Sequence, residues 1–171
     1  MGNEGSDDEA ISAMLSANPL LNFSIYTQSQ ADALLRMKGE IEAAMDGWGP
    51  TISDFPRVYD FFWFWSLGAY EVLRTMDQNA ACFTPSVATK IRAMKQQLAV
   101  LRMPFAKQEL KGKGGPIRGE NSVTSLKNKS FKFRVSGESF DARETMASVC
   151  ELLASIRRED ILQPMPVAPR A

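Results

Sequence analysis

Three basic residues in the middle of the chain are candidates for binding an anion. Arg74 lies on one predicted helix, and Arg102 and Lys107 flank Pro104 in the next, where that helix is expected to kink or end. If the three basic side chains converge, they form a pocket for a small anion or a phosphate group. The alternative is a set of ion pairs that orient the helices, with aliphatic stems covering apolar surface. The ion-pair interpretation is favoured, since Glu71 lies one helical turn from Arg74.

The predicted packing of these two helices also assigns a partner to Arg102. In an antiparallel pair, the C-terminal end of one helix lies beside the N-terminal end of the other. On that basis Arg102 is expected near Asp60, at the start of the first helix, rather than near Glu71.

A second group of bases lies in the segment 107–134. Between Ser86 and Arg134 there are twelve bases and two acids, whereas Met1 to Asp60 carries ten acids and three bases. A positive stretch of this kind is typical of a surface that contacts nucleic-acid phosphates. Its alternative is a basic face that is only solvated. The hairpin bases that could contact a nucleic acid are Lys127, Lys129, Lys132 and Arg134.

Two phenylalanines alternate with these charges, at positions 131 and 133. If the rings of Phe131 and Phe133 point outward, they could stack on bases, as aromatic side chains do in single-strand-binding proteins. If they point inward, they belong to the core. We expect the inward orientation, because Phe131, Phe133 and Val135 share one face of a short hairpin that needs a core to rest on.

The absence of several residue types and motifs restricts the chemistry further. The chain has no histidine, which excludes Ser-His-Asp and Cys-His hydrolases and zinc sites that use histidine. Cys82 and Cys150 are too few for an all-cysteine zinc site and are expected to be reduced thiols. The chain contains neither of two nucleotide-binding motifs, GxxxxGK(S/T) and GxGxxG. The glycine-rich stretch 111–116 is predicted to be a flexible loop. These absences favour a protein that is not an enzyme, with no metal and no cofactor.

The element that must position these residues is an apolar helix predicted over about residues 55–81. Phe61, Phe62 and Trp65 line one of its sides. Trp63 and Leu67 line another. A helix that is apolar nearly all round is predicted to be buried. Its apolar run is shorter than the roughly 20 residues of a membrane span, so no association with a membrane is expected.

Amphipathic helices are predicted on both sides of this central helix. One helix is expected to begin at Thr27 or Ser29, and another begins after the cap Thr84. A two-stranded β-hairpin is predicted at about residues 121–136, and a last helix begins at Asp141. The predicted fold class is therefore α+β and mainly α: a helical bundle around the central helix, with the hairpin inserted before the C-terminal helix.

The ends of the chain differ in composition from its middle. The acidic residues 1–10 are predicted to be disordered, residues 11–160 to form a single helical domain, and residues 161–171 to form a proline-rich tail. The N-terminal segment lacks the basic and apolar regions of a signal peptide, which predicts a cytoplasmic protein.

Two functions of different classes are compatible with these patterns. The first is a non-enzymatic interaction module that binds a protein partner or a second copy of itself, because the helices are amphipathic and no catalytic group is evident. The second is a nucleic-acid-binding protein that uses the segment 107–134. An enzyme that acts on an anionic ligand at Arg74, Arg102 and Lys107 is the least favoured hypothesis.

Overall fold

The structure is a computed structural model in which the chain is described over residues 4–48, 54–107, 109–110, 113–116, 123–135 and 137–166. Most of these residues are helical, and the strands form antiparallel ladders, so the predicted class, α+β and mainly α, is confirmed. The helices of the described ranges are α1 (Glu4–Ala17), α2 (Ile25–Asp46), α3 (Phe55–Gln78), α4 (Pro85–Lys107) and α5 (Ala142–Ser155). The strands are β1 (Glu109–Leu110), β2 (Lys113–Pro116), β3 (Val123–Lys127), β4 (Ser130–Val135) and β5 (Glu138–Asp141).

Helix α3 packs against both α2 and α4. It begins after Asp54, which makes no side-chain capping hydrogen bond, and it has a proline in its first turn, where the missing backbone N–H has no helical acceptor to lose. Phe62, Trp65 and Val72 lie on the side that faces the neighbouring helices and are buried. The indole Nε1 of Trp65 donates a hydrogen bond to the carbonyl oxygen of Leu34 at 3.0 Å, which connects α3 to α2.

The ends of the helices follow the sequence signals only in part. Helix α2 begins earlier than expected, because the Oγ of Ser24, rather than a side chain at Thr27 or Ser29, accepts the capping hydrogen bond. Helix α4 begins at Pro85, as predicted from the cap and proline pair. It continues beyond Pro104 for the rest of its last turn, so the lost backbone hydrogen bond does not end it there.

The sheet contains three antiparallel strands in the order β3-β4-β5, where the sequence predicts a hairpin of two. Asn128 and Lys129 join β3 to β4 and both have positive φ, at 56° and 52°, as in the two-residue type I′ turn. Hydrophobic periodicity does not predict strand β5, because its four residues include a single large apolar side chain, Phe140. A separate ladder of β1 and β2 occupies part of the stretch predicted as a flexible loop.

Both ends of the described chain carry more regular structure than their composition suggests. Helix α1 begins inside the segment predicted to be disordered. Beyond α5, Ile161 forms a β-bridge with Phe83. The backbone N–H of Leu162 donates to the carbonyl oxygen of Cys82 at 2.8 Å, and the backbone N–H of Met165 donates to the carbonyl oxygen of Phe23 at 2.9 Å. The first residues of the predicted tail therefore form an extended segment held by backbone hydrogen bonds. The division into one domain and two terminal segments stays a prediction.

None of the helices in the described ranges is long and apolar enough to cross a membrane. The cytoplasmic location stays a prediction.

Candidate interaction surfaces

Arg74 and Arg102 share one carboxylate, that of Glu71. The Nε of Arg74 donates to Oε2 of Glu71 at 2.7 Å, and Nη2 of Arg102 lies 3.7 Å from Oε1. The guanidinium of Arg102 also lies over the ring of Tyr70, 4.7 Å from its centroid. Both cations therefore have partners within the protein. The side chain of Lys107 lies outside the described residues, so the three-base pocket stays untested.

The expected pairing of Arg102 with Asp60 is wrong. The connection between α3 and α4 includes a 3-10 turn, Ala80–Cys82, which adds length between the two helices. As a result, Arg102 lies level with Tyr70 and Glu71, well beyond the first turn of α3. The register of an antiparallel helix pair depends on the geometry of its connection, which helical periodicity does not reveal.

A more buried ion-pair cluster lies near the connected ends of α3 and α4. The side chain of Asp77 is 11% exposed, accepts a hydrogen bond from Lys95, and accepts another from Nε of Arg92 at 3.1 Å. The hydrogen bond from Lys95, followed by that from Arg92, holds the pKa of Asp77 below its ordinary value despite burial. Sequence analysis missed this cluster because its members lie on different helices.

The aromatic side chains of β4 point into the core. Phe131 and Phe133 are buried, and their ring centroids lie 5.2 Å and 5.5 Å from that of Phe62 on α3. The predicted inward orientation is confirmed. These two rings are therefore not available to stack on the bases of a nucleic acid.

The four hairpin bases lie on the opposite, solvated side of the same strands. Lys132 and Arg134 alternate with the buried phenylalanines on β4, and Lys127 and Lys129 lie at the end of β3 and in the turn. All four are exposed. The Nζ of Lys132 lies 3.9 Å from Oδ2 of Asp141, which partly offsets its charge. The outer face of the sheet is thus basic, and the phenylalanine rings of β4 lie on its opposite, buried face.

An exposed aromatic surface lies on the outer side of α3, and we define it as Phe61 and Phe64. The two residues are 38% and 57% exposed, and their spacing of three places them side by side on the helix. The ring of Phe64 stacks on that of Trp63, with centroids 5.0 Å apart. The guanidinium of Arg57 lies 5.4 Å from the centroid of Phe61. The sequence predicts a buried helix, whereas the outer side of α3 is exposed at these two residues.

A groove of about 340 Å³ opens beside this aromatic surface, between α2 and α3. Ala33, Met37 and the ring of Phe61 provide its apolar lining, and Arg36 and Glu40 provide charged groups at its exposed edge. An apolar floor with a few charged groups around it is typical of a site that accepts the side chain of a partner.

A second cavity, of about 290 Å³, lies between α2, α5 and the 3-10 turn Pro19–Asn22. Polar groups in its wall include Asp32, Arg157 and the thiol of Cys150. Burial, the largest influence, raises the pKa of the Cys150 thiol, so the thiol stays protonated and is a poor nucleophile. The cavity therefore offers no activated nucleophile of this kind.

Sequence reasoning missed the aromatic surface because an apolar run does not show which of its sides a neighbouring helix covers.

In the described ranges, no group of three His, Cys, Asp or Glu side chains is placed to hold a metal ion. Comparison of the chain with family models, with curated proteins and with solved structures found no match.

Proposed function

We propose that this chain is a non-enzymatic interaction module that binds a protein partner through the aromatic surface of α3. The observation that carries the proposal is the exposure of two adjacent phenylalanines, Phe61 and Phe64, beside an apolar groove. Contiguous exposed apolar groups mark interaction sites more often than isolated ones do. Aromatic groups also account for much of the binding energy in protein interfaces.

The two exposed rings can contribute to the free energy of binding. Covering the exposed parts of both rings would remove roughly 200 Å² of apolar area from water. That area contributes about 5 kcal/mol before the entropic costs of association, at about 25 cal/mol per Å². The charged groups of Arg36, Glu40 and Arg57 lie around the rings, where they can fix the orientation of a partner.

Site-specific photocrosslinking tests the proposal directly. A photoreactive phenylalanine analogue at Phe64 should give a discrete covalent adduct after irradiation in cells, because the partner covers this ring. The matched control places the same analogue at Tyr26, an aromatic residue that is 76% exposed near the N-terminus of α2. Equal adduct patterns at the two positions, or no adduct at position 64, would contradict the proposal.

A second proposal is that the basic outer face of the sheet binds nucleic acid. It is supported by the exposure of Lys127, Lys129, Lys132 and Arg134 on neighbouring parts of one hairpin. Since Phe131 and Phe133 are buried, binding would depend on phosphate contacts rather than on stacking by these rings. Such binding is expected to vary little with base sequence and to weaken steeply with added salt.

Fluorescence anisotropy with single- and double-stranded RNA and DNA at low salt tests this second proposal. Changing Lys127, Lys129 and Lys132 together to glutamine should weaken binding and flatten its logarithmic salt dependence by about two units. A control triple variant removes the same charge at the exposed residues Arg36, Lys90 and Arg158. Absence of binding by the unmodified protein, or an equal loss in both triple variants, would reject the proposal.

A further inference from the structure

We infer that the partner of the aromatic surface is a second copy of this chain, an inference that rests on the function proposed above. The observation behind it is the arrangement of charge around Phe61 and Phe64. Two bases, Arg36 and Arg57, and two acids, Glu40 and Asp60, are exposed on α2 and α3. Arg36 and Glu40 line the groove, Arg57 lies over the ring of Phe61, and Asp60 lies one helical turn from Phe64. We call these four residues the rim.

The rim charges have no ion-pair partner elsewhere in the described part of the chain. Several other charged residues of the same two helices do: Lys38 pairs with Glu42 at 2.7 Å, and Arg74 pairs with Glu71. The guanidinium of Arg57 instead lies over the ring of Phe61. The charges that surround the aromatic surface are thus available to an incoming molecule.

The balance of these charges identifies the chemistry of the partner. A strongly acidic or strongly basic partner would be attracted by two rim residues and repelled by the other two. A surface with equal numbers of both signs can be complementary to its own copy, because a two-fold axis can set the bases of one copy against the acids of the other. The formal net charge of the chain is zero, so two copies do not repel each other as wholes.

The area available indicates a weak association. Two copies would cover roughly 400 Å² of phenylalanine surface between them, whereas stable interfaces bury about 1,200–2,000 Å² in total. The rings therefore form the centre of the contact, and the groove and rim must supply the remainder. We expect the dimer to form at micromolar concentration and above.

Sedimentation velocity over about 1–200 µM, with rim variants, tests the inference. The acidic-rim variant carries Arg36→Glu and Arg57→Glu, and the basic-rim variant carries Glu40→Lys and Asp60→Lys. Each variant alone should be monomeric, because like charges face each other across the axis. An equimolar mixture should dimerise at least as tightly as the unmodified protein, because it restores contacts between opposite rim charges.

Two further variants keep the test independent of folding. Phe64→Ser removes the central ring from an exposed position and should abolish the dimer without lowering thermal stability. Leu162→Ser, at a residue 61% exposed outside this surface, should leave the dimer unchanged. Circular dichroism melts of all variants identify any that fail to fold.

Three outcomes would overturn the inference: an unmodified protein that stays monomeric at every concentration, a dimer that survives Phe64→Ser, or a mixture of rim variants that does not associate. The crosslinking experiment separates this failure from failure of the proposed function. If position 64 gives an adduct with a different protein while the chain stays monomeric, the interaction function holds and the self-association does not.

Discussion

The two sides of α3 contain the same kinds of residue but differ in their exposure to solvent. Phe62 is completely buried against neighbouring elements, and Phe61, the preceding residue, is 38% exposed. One position along a helix is a rotation of about 100°, which is enough to move a ring from the core to the surface. The apolar run of α3 therefore contains more apolar side chains than the core buries. Packing with α2 and α4 determines which of them are buried within the chain.

The largest contrast is expected between Trp65 on the inner side and Phe64 on the outer side. Trp65→Ala should lower the free energy of unfolding by about 3–5 kcal/mol, because it leaves a cavity and removes the hydrogen bond to Leu34. Phe64→Ala should change it by less than about 0.5 kcal/mol. Urea denaturation measures both. A loss below about 1 kcal/mol for Trp65→Ala would contradict the inner-side assignment.

The same contrast is expected on β4, between Phe133 and its neighbour Lys132. Phe133→Ala should cost about 3 kcal/mol, because its ring packs on Phe62 and stacks on Phe140 with centroids 5.8 Å apart. Lys132→Ala should stay within about 0.5 kcal/mol, since this side chain is exposed. Similar effects of the two substitutions in urea melts would show that the two faces of the strand are not distinguished as described.

A smaller difference in stability effect is expected between two ion-paired acids, the mostly buried Asp77 and the more exposed Glu71. Asp77→Asn is expected to cost about 1–2 kcal/mol, because Asp77 is mostly buried and bonds two cations. Glu71→Gln should cost less than about 0.5 kcal/mol, since the side chains of Glu71 and Arg74 are both over 40% exposed, at 42% and 45%.

The pH dependence of stability separates these two acids further. The folded state lowers the pKa of Asp77, so its stabilisation is fully present above the unfolded pKa of about 3.9 and is lost as the pH falls through the folded pKa. The difference in unfolding free energy between the unmodified protein and Asp77→Asn should therefore shrink below about pH 4. A difference that stays constant down to pH 2 would contradict a lowered pKa.

The smallest contrast is expected between two helix glycines. A Cβ at Gly68 would lie 3.5 Å from Cδ2 of Leu34, an ordinary contact, and a Cβ at Gly39 would meet nothing within 4 Å. Gly68→Ala and Gly39→Ala should each raise the free energy of unfolding by about 0.5–1 kcal/mol. A gain at Gly39 with a loss at Gly68 would show that α2 and α3 cross too closely to admit a methyl group.

Sequence patterns were sufficient where one short signal determines the structure. The Thr84-Pro85 pair before α4 and the alternation of Phe131 and Phe133 on β4 both predict what is observed. Such signals act within one or two turns or strands. Periodicity also predicts that α3 is strongly apolar, but it contains no information about the position of α2 and α4 around it.

The features that sequence analysis missed depend on contacts between distant elements. Arg102 meets Glu71 because of the length of the connection between α3 and α4. Strand β5 forms because β4 offers it a free edge, although its own sequence has little alternation. The aromatic surface depends on which side of α3 the other helices leave open.

The hydrogen bonds of Leu162 and Met165 have a consequence for folding kinetics. They join the extended segment after α5 to Cys82 and Phe23, which lie far away along the chain. Closing such long loops is entropically costly, so these bonds should form after the helix pair α3–α4 and the sheet, whose contacts are between consecutive elements. In native-state hydrogen exchange, the amides of Leu162 and Met165 should then exchange through a local opening, well before those in the middle of α3.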